Sequence, residues 1–138
     1  MSLASSLIAS KDGGTVDEFD YQGRHVSTQD ATNGQKLLSL SYGSDGLLSS
    51  VTDANHNKTT FDRSTKGKVV IQAPFGQRTA LLLDKDGYAE SFADPAGSKT
   101  SFTYVSSGGN ENGLLETLTD PKGQVHHFTF TIGEKCAT

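Results

Sequence analysis

The chain has one cysteine, Cys136, and no tryptophan among its 138 residues. A lone thiol excludes an intramolecular disulfide, so no disulfide framework holds this fold; that usage suits a cytosolic protein and equally a secreted one without disulfides. No apolar run approaches the roughly 18 residues of a membrane span, which argues against membrane insertion. Residues 1–10 lack the basic start and apolar centre of a signal peptide, and residues 1–3 read as an expression scar. The net charge is −4, and the 12 lysines and arginines are scattered. That excludes the basic patch of a nucleic-acid binder.

Motifs that carry chemistry are equally scarce. No serine sits in a Gly-x-Ser-x-Gly elbow, and no glycine loop has phosphate-binding spacing. Adjacent His126 and His127 would point to opposite faces of a strand, and His25 and His56 have no cysteine at zinc spacing, so no metal is expected. Asp84-Lys85-Asp86-Gly87 has the opening spacing of a calcium loop, but Pro95 stands where the loop needs its glutamate. No cofactor is expected. Glu90 and Glu116 occupy equivalent places in successive repeats and are an example of a carboxylate pair that a hydrolase reading could use; a solvated stripe is the better account of them.

What the chain does have is 15 glycines in a rhythm. Asp94-Pro95-Ala96-Gly97 and Asp120-Pro121-Lys122-Gly123 share a form with Asp30-Ala31-Thr32-Asn33, Asp53-Ala54-Asn55-His56 and Ala73-Pro74-Phe75-Gly76. The steps between them are 23, 20, 21 and 26 residues. The chemistry is that of a tight turn. Asp30, Asp53, Asp94 and Asp120 cap it, proline presets φ, and Gly76, Gly97, Gly123, Asn33 or His56 takes the left-handed position. A glycine recurs seven residues before the turn at Gly23, Gly46, Gly87 and Gly113, and one step closer at Gly67. An apolar or β-branched residue lies two before the turn (Thr28, Val51, Ile71, Phe92, Leu118) and another eight after its start (Leu38, Phe61, Leu81, Phe102, Phe128). Intervening positions are mostly polar, which is strand alternation with one buried face.

The expected fold is therefore all-β. About five tandem antiparallel β-hairpin repeats over 19–138 would form an extended, twisted or curved sheet, or one folded over as a sandwich. Residues 1–18 form a non-repeat leader in which Leu7-Ile8-Ala9 either pairs as an edge strand or stays loose. Arg63 and Ala73 make the third repeat irregular, the first replacing an aromatic and the second a capping aspartate. An insertion between Tyr104 and Gly113 is the expected mobile loop.

These residues carry a family resemblance. Phe19-Asp20-Tyr21-Gln22-Gly23-Arg24, Gly46-Leu47-Leu48-Ser49-Ser50-Val51-Thr52-Asp53 and the run from Gly113 to Gly123 resemble the YD repeat of the Rhs family, over roughly residues 19–130. The resemblance implies a segment of a bacterial cell-surface or secreted protein. There, long hairpin sheets spiral into a shell around a toxic C-terminal domain. Flanking repeats or that toxin domain would be the partners. The chain is far shorter than a shell, no toxin-like domain follows, and Ser98 and Gln124 stand where the family's self-cleaving core has leucine. No cleavage is carried onto Asp94 or Asp120.

The function expected from sequence is a non-catalytic structural segment. The alternative is a carbohydrate- or protein-binding module using Tyr21, Tyr88 and Phe75, and a hydrolase ranks last. An isolated array of this kind exposes strand edges and an apolar face, so homo-oligomerisation is expected.

Overall fold

The computed structural model describes residues 5–106 and 112–130. Among these residues twelve strands lie in one sheet in chain order. They are β1 Ser6–Ala9, β2 Thr15–Phe19, β3 His25–Asp30, β4 Lys36–Tyr42, β5 Leu48–Asp53 and β6 Lys58–Asp62, then β7 Lys68–Gln72, β8 Arg78–Leu83, β9 Ala89–Ala93, β10 Lys99–Tyr104, β11 Leu115–Thr119 and β12 Val125–His127. No described residue is helical. The expected loop between Tyr104 and Gly113 lies mainly at residues 107–111, outside the described residues, as does Cys136.

The chain divides into two compact units. The first comprises Met1–Arg63 and Val70–Arg78, the second Ser64–Val69 and Thr79–Thr138. In the first unit β1 pairs with β2, from Ser6↔Phe19 to Ala9↔Val16. Hairpin pairing thus begins within residues 1–18. It passes through a turn in which the Gly13 amide donates to the Ser10 carbonyl and Gly13 takes φ +71°.

One turn geometry recurs along the chain. At Asp53 the backbone amide donates to the Asn57 carbonyl at 3.0 Å, and the His56 amide returns a bond to the Asp53 carbonyl at 3.1 Å. The same double bond links Asp20 with Arg24 and Gly23, Ala73 with Gln77 and Gly76, Asp84 with Tyr88 and Gly87, Asp94 with Ser98 and Gly97, and Asp120 with Gln124 and Gly123. This is the three-residue hairpin loop, a type I turn closed by a left-handed residue. The first Asp turn differs. It is one residue longer, with the Asp30 amide bonded to the Gln35 carbonyl, and Gly34 at φ +72° takes the left-handed place instead of Asn33. With Asn and Gly adjacent, the residue without a Cβ takes the position that penalises one.

The hairpins at Gly23, Gly46, Gly87 and Gly113 carry a bulge. Register jumps from Glu18↔Ser27 to Phe19↔His25, from Ser41↔Ser50 to Tyr42↔Leu48, from Leu82↔Ser91 to Leu83↔Ala89, and from Thr103↔Thr117 to Tyr104↔Leu115. The skipped residues are Val26, Ser49, Glu90 and Glu116. A bulge takes a residue out of the ladder and leaves backbone groups needing other partners. In three repeats a side chain on or just after the next strand supplies one. The Tyr42 hydroxyl donates to the His25 carbonyl at 2.7 Å, the Tyr104 hydroxyl to the Ala89 carbonyl at 2.9 Å, and the Arg63 guanidinium to the Leu48 carbonyl. Arg63 is therefore not a lapse in the repeat: it performs the tyrosine's hydrogen bond with a different group.

Apolar cross-strand pairs follow the period. Leu40↔Val51 and Phe61↔Ile71 belong to the first unit, and Leu81↔Phe92 and Phe102↔Leu118 to the second. Such pairs stabilise adjacent strands, yet they make no sealed core. Val69, at 9% exposure, is the one buried hydrophobic among the described residues, whereas Ser27, Ser50 and Ser91 are buried. A sandwich buries the inner faces of its two sheets. Among the described residues neither unit buries an inner face of this kind.

Candidate functional site

The three aromatic candidates occupy separate turns. Tyr21 (61% exposed) lies in the β2–β3 turn, Phe75 (81%) in the β7–β8 turn, and Tyr88 (44%) directly after the β8–β9 turn. Within the first unit Tyr21 and Phe75 sit at opposite strand ends, because successive hairpins turn at alternate ends. They form no joint stacking platform.

Tyr88 is different because it has company. Its ring stacks on Tyr104 with centroids 4.9 Å apart and planes 29° from parallel. A Cβ on Gly113, which takes φ +86°, would come within 2.6 Å of its hydroxyl, so a larger residue there would displace the ring. The two rings border an open cleft of about 590 Å³, also lined by Asp84, Lys85, Asp86 and Glu90. Lys85 donates to Asp86 at 2.6 Å, and this hydrogen bond raises the lysine's pKa. Asp84 Oδ1 accepts from the amides of Asp86 and Tyr88.

The capping carboxylates are turn groups. Asp30 Oδ1 accepts from the Thr32 and Asn33 amides, Asp94 Oδ1 from Ala96 and Ser98, and Asp120 Oδ1 from Lys122 and Gln124. Asp53 Oδ1 accepts from Asn55 and Asn57, and its Oδ2 from the Asn57 side chain. The Asn57 side-chain amide, then its backbone amide, hold Asp53 below the ordinary carboxylate value. Asp20 is lowered in the same way, chiefly by the Arg24 backbone amide and then by the Arg24 side chain. Gly76, Gly97 and Gly123 have φ of +87°, +88° and +83°.

One polar cluster escaped the sequence reading. Asp17 and Thr28 face each other across β2 and β3, and the Thr28 hydroxyl donates to Asp17 at 2.7 Å. His25 Nε2 lies 3.3 Å from Asp17 Oδ1, 3.0 Å from Thr28 Oγ1 and 2.9 Å from the Ser27 carbonyl. The residue types are those of a nucleophilic triad, but the geometry is not. A triad histidine binds its acid through one ring nitrogen and its nucleophile through the other. Here all three contacts converge on Nε2, which makes the cluster a cross-strand knot. Its only sequence signal is the register that sets Asp17 opposite Thr28.

Glu90 and Glu116 lie on β9 and β11 with β10 between them, so they are not neighbours across a single cleft. Among the described residues no group of three or more His, Cys, Asp or Glu side chains is placed to hold a metal ion.

The chain is similar to known proteins over most of its length. A family model described as Teneurin YD-shell matches residues 4–134. The chain belongs to the teneurin YD-shell family. It is 27% identical over 128 residues to Teneurin-4 of Mus musculus, covering 80% of this chain and 5% of that protein. It is 30% identical over 113 residues to Teneurin-3 of Mus musculus, covering 81% and 4%, and 26% identical over 125 residues to Teneurin-1 of Homo sapiens, covering 85% and 5%. The chain spans about a twentieth of the length of these relatives. The match confirms the YD repeat through animal proteins, where the resemblance pointed to bacterial ones.

Proposed function

We propose that this YD-shell chain is a non-catalytic wall segment of a larger cell-surface or secreted protein, its hairpins adding strands to a longer sheet. The observation that carries this reading is the near-absence of a core of its own. Among the described residues its strands bury one hydrophobic side chain, Val69, while Leu38, Phe92, Val125 and Phe128 remain exposed. Strands of this kind gain stability from neighbouring repeats rather than from an enclosed interior. The outermost strands support it too. Among the described residues β1 pairs with β2 alone and β12 with β11 alone, which leaves edges able to accept further strands. The surface or secreted setting rests on the family relationship. A bacterial toxin shell remains one such setting, with flanking repeats or an enclosed domain covering the apolar face. Among the described residues no helix is long and apolar enough to cross a membrane.

The test is the binding of an apolar fluorescent dye to the isolated chain, and to the same chain extended by the repeats that adjoin it in its parent. The wall reading expects strong dye fluorescence from the chain alone and a loss per repeat in the extended form. A chain that binds no dye at any concentration has already covered its apolar face, and the reading fails.

A further inference from the structure

The repeat compares one site with itself. In the β2–β3 hairpin, Arg24 follows the turn glycine Gly23, and its guanidinium lies over the Tyr42 ring, 4.9 Å from the centroid. The same guanidinium binds Asp20 Oδ2 through Nε at 2.8 Å and through its terminal nitrogen at 2.8 Å. Asp20 Oδ1 is occupied by the amides of Gln22 and Arg24. The site is thus an aromatic face with a carboxylate beside it, filled by an arginine.

The β8–β9 hairpin repeats every part of this site except the arginine. Asp84 stands for Asp20, with its Oδ1 taken by the equivalent two amides. Tyr104 stands for Tyr42 and donates to the equivalent carbonyl, that of Ala89. At the arginine's position stands Tyr88, stacked on Tyr104. Asp84 Oδ2 consequently has no hydrogen-bond partner among the described residues. The aromatic surface is extended by a ring that is 44% exposed, and the adjoining cleft of about 590 Å³ adds Glu90 and the Asp86–Lys85 pair. Three carboxylates face one ammonium that is already paired.

We propose that this cleft binds an arginine side chain of a partner protein. The guanidinium replaces, from outside, the one that Arg24 supplies from within the chain at the β2–β3 hairpin. Its planar face lies on the Tyr88 ring, and its N–H groups reach Asp84 Oδ2 and Glu90. Guanidinium suits both surfaces at once, since it stacks on aromatic rings and bonds carboxylates in a planar fork. The inference is independent of the wall reading: a scaffold can carry this cleft, and the cleft can fail while the scaffold stands.

The test uses the full chain and the probe N-acetyl-arginine amide, followed through the ring proton signals of Tyr88 and Tyr104. The expected result is saturable shifts at both rings. The neutral isostere N-acetyl-citrulline amide should bind at least about tenfold more weakly, since losing the charge costs at least one charge-assisted hydrogen bond. Tyr88→Arg rebuilds the internal pair of the β2–β3 hairpin, and should abolish the probe's effect on Tyr104 while leaving the melting temperature in place. Glu90→Gln, at an exposed position, should weaken binding several-fold and serves if Tyr88→Arg fails to fold. Equal binding of the citrulline probe, unchanged binding in Glu90→Gln, or shifts produced by a neutral sugar and not by arginine would overturn the proposal.

Discussion

Two turns in the first compact unit reach the same backbone geometry by different means. At Asp53 the closing residue is His56, which adopts φ +64° without being glycine, and the Asp53 carboxylate gathers two amides and a side chain around it. At Ala73 there is no carboxylate. Gly76 at φ +87° and Pro74 make the turn, and the two backbone bonds form at 2.9 and 3.0 Å regardless. Either a permissive residue or a capping acid suffices for this turn. Most other turns of the chain have both, and these two each have one.

The comparison breaks most sharply where a turn loses its only device. Gly76→Val forces a β-branched residue into the left-handed region, where the strain is on the order of 1–3 kcal/mol, with no carboxylate to offset it. Chemical denaturation should show a loss near the top of that range. Gly97→Val, beside the Asp94 cap, should lose less. Next comes Asp53→Ala, which leaves His56 strained and uncapped. Its melting temperature should fall further than that of Asp94→Ala, where Gly97 still makes the turn. A smaller gain is expected from His56→Gly, which removes the left-handed strain of a side chain at a modest entropic cost and should stabilise by about 0.5–1 kcal/mol.

Acid gives the subtlest contrast. The folded chain holds Asp53 and Asp20 below the ordinary carboxylate value. A carboxyl depressed by folding stabilises above its unfolded pKa and loses that contribution as pH falls through the folded value. Melting temperature should therefore decline below about pH 4. Ala73→Asp should raise stability slightly at neutral pH and steepen this acid decline, because it gives the third turn a group to protonate.

These contrasts show what was legible in the sequence. The turns could be read because their causes are local: an aspartate, a proline and a glycine act within four or five residues of one another. The apolar pairs could be read because the two-residue alternation carries across strands, as Phe61↔Ile71 shows. The bulges could not. Val26, Ser49, Glu90 and Glu116 share no chemistry, and what makes them equivalent is the cross-strand register next to each glycine turn. Arg63 was misread for a related reason. By residue class it breaks an aromatic column, but by hydrogen bond it continues one, serving the Leu48 carbonyl as Tyr42 serves that of His25. The cleft beside Tyr88 was legible only as an exposed tyrosine. Its meaning comes from Arg24, six strands earlier, filling the equivalent place. Asn33 lost its expected position to Gly34 by a single residue, a margin that turn propensity does not resolve.

These strands are stabilised by turns and neighbours rather than by a core of their own. Sedimentation velocity of the isolated chain over a wide concentration range tests this most directly. Association should grow with concentration, as exposed edges and the apolar face find partners in other copies. A single monomeric boundary at every concentration, from a chain that still melts cooperatively, would contradict it.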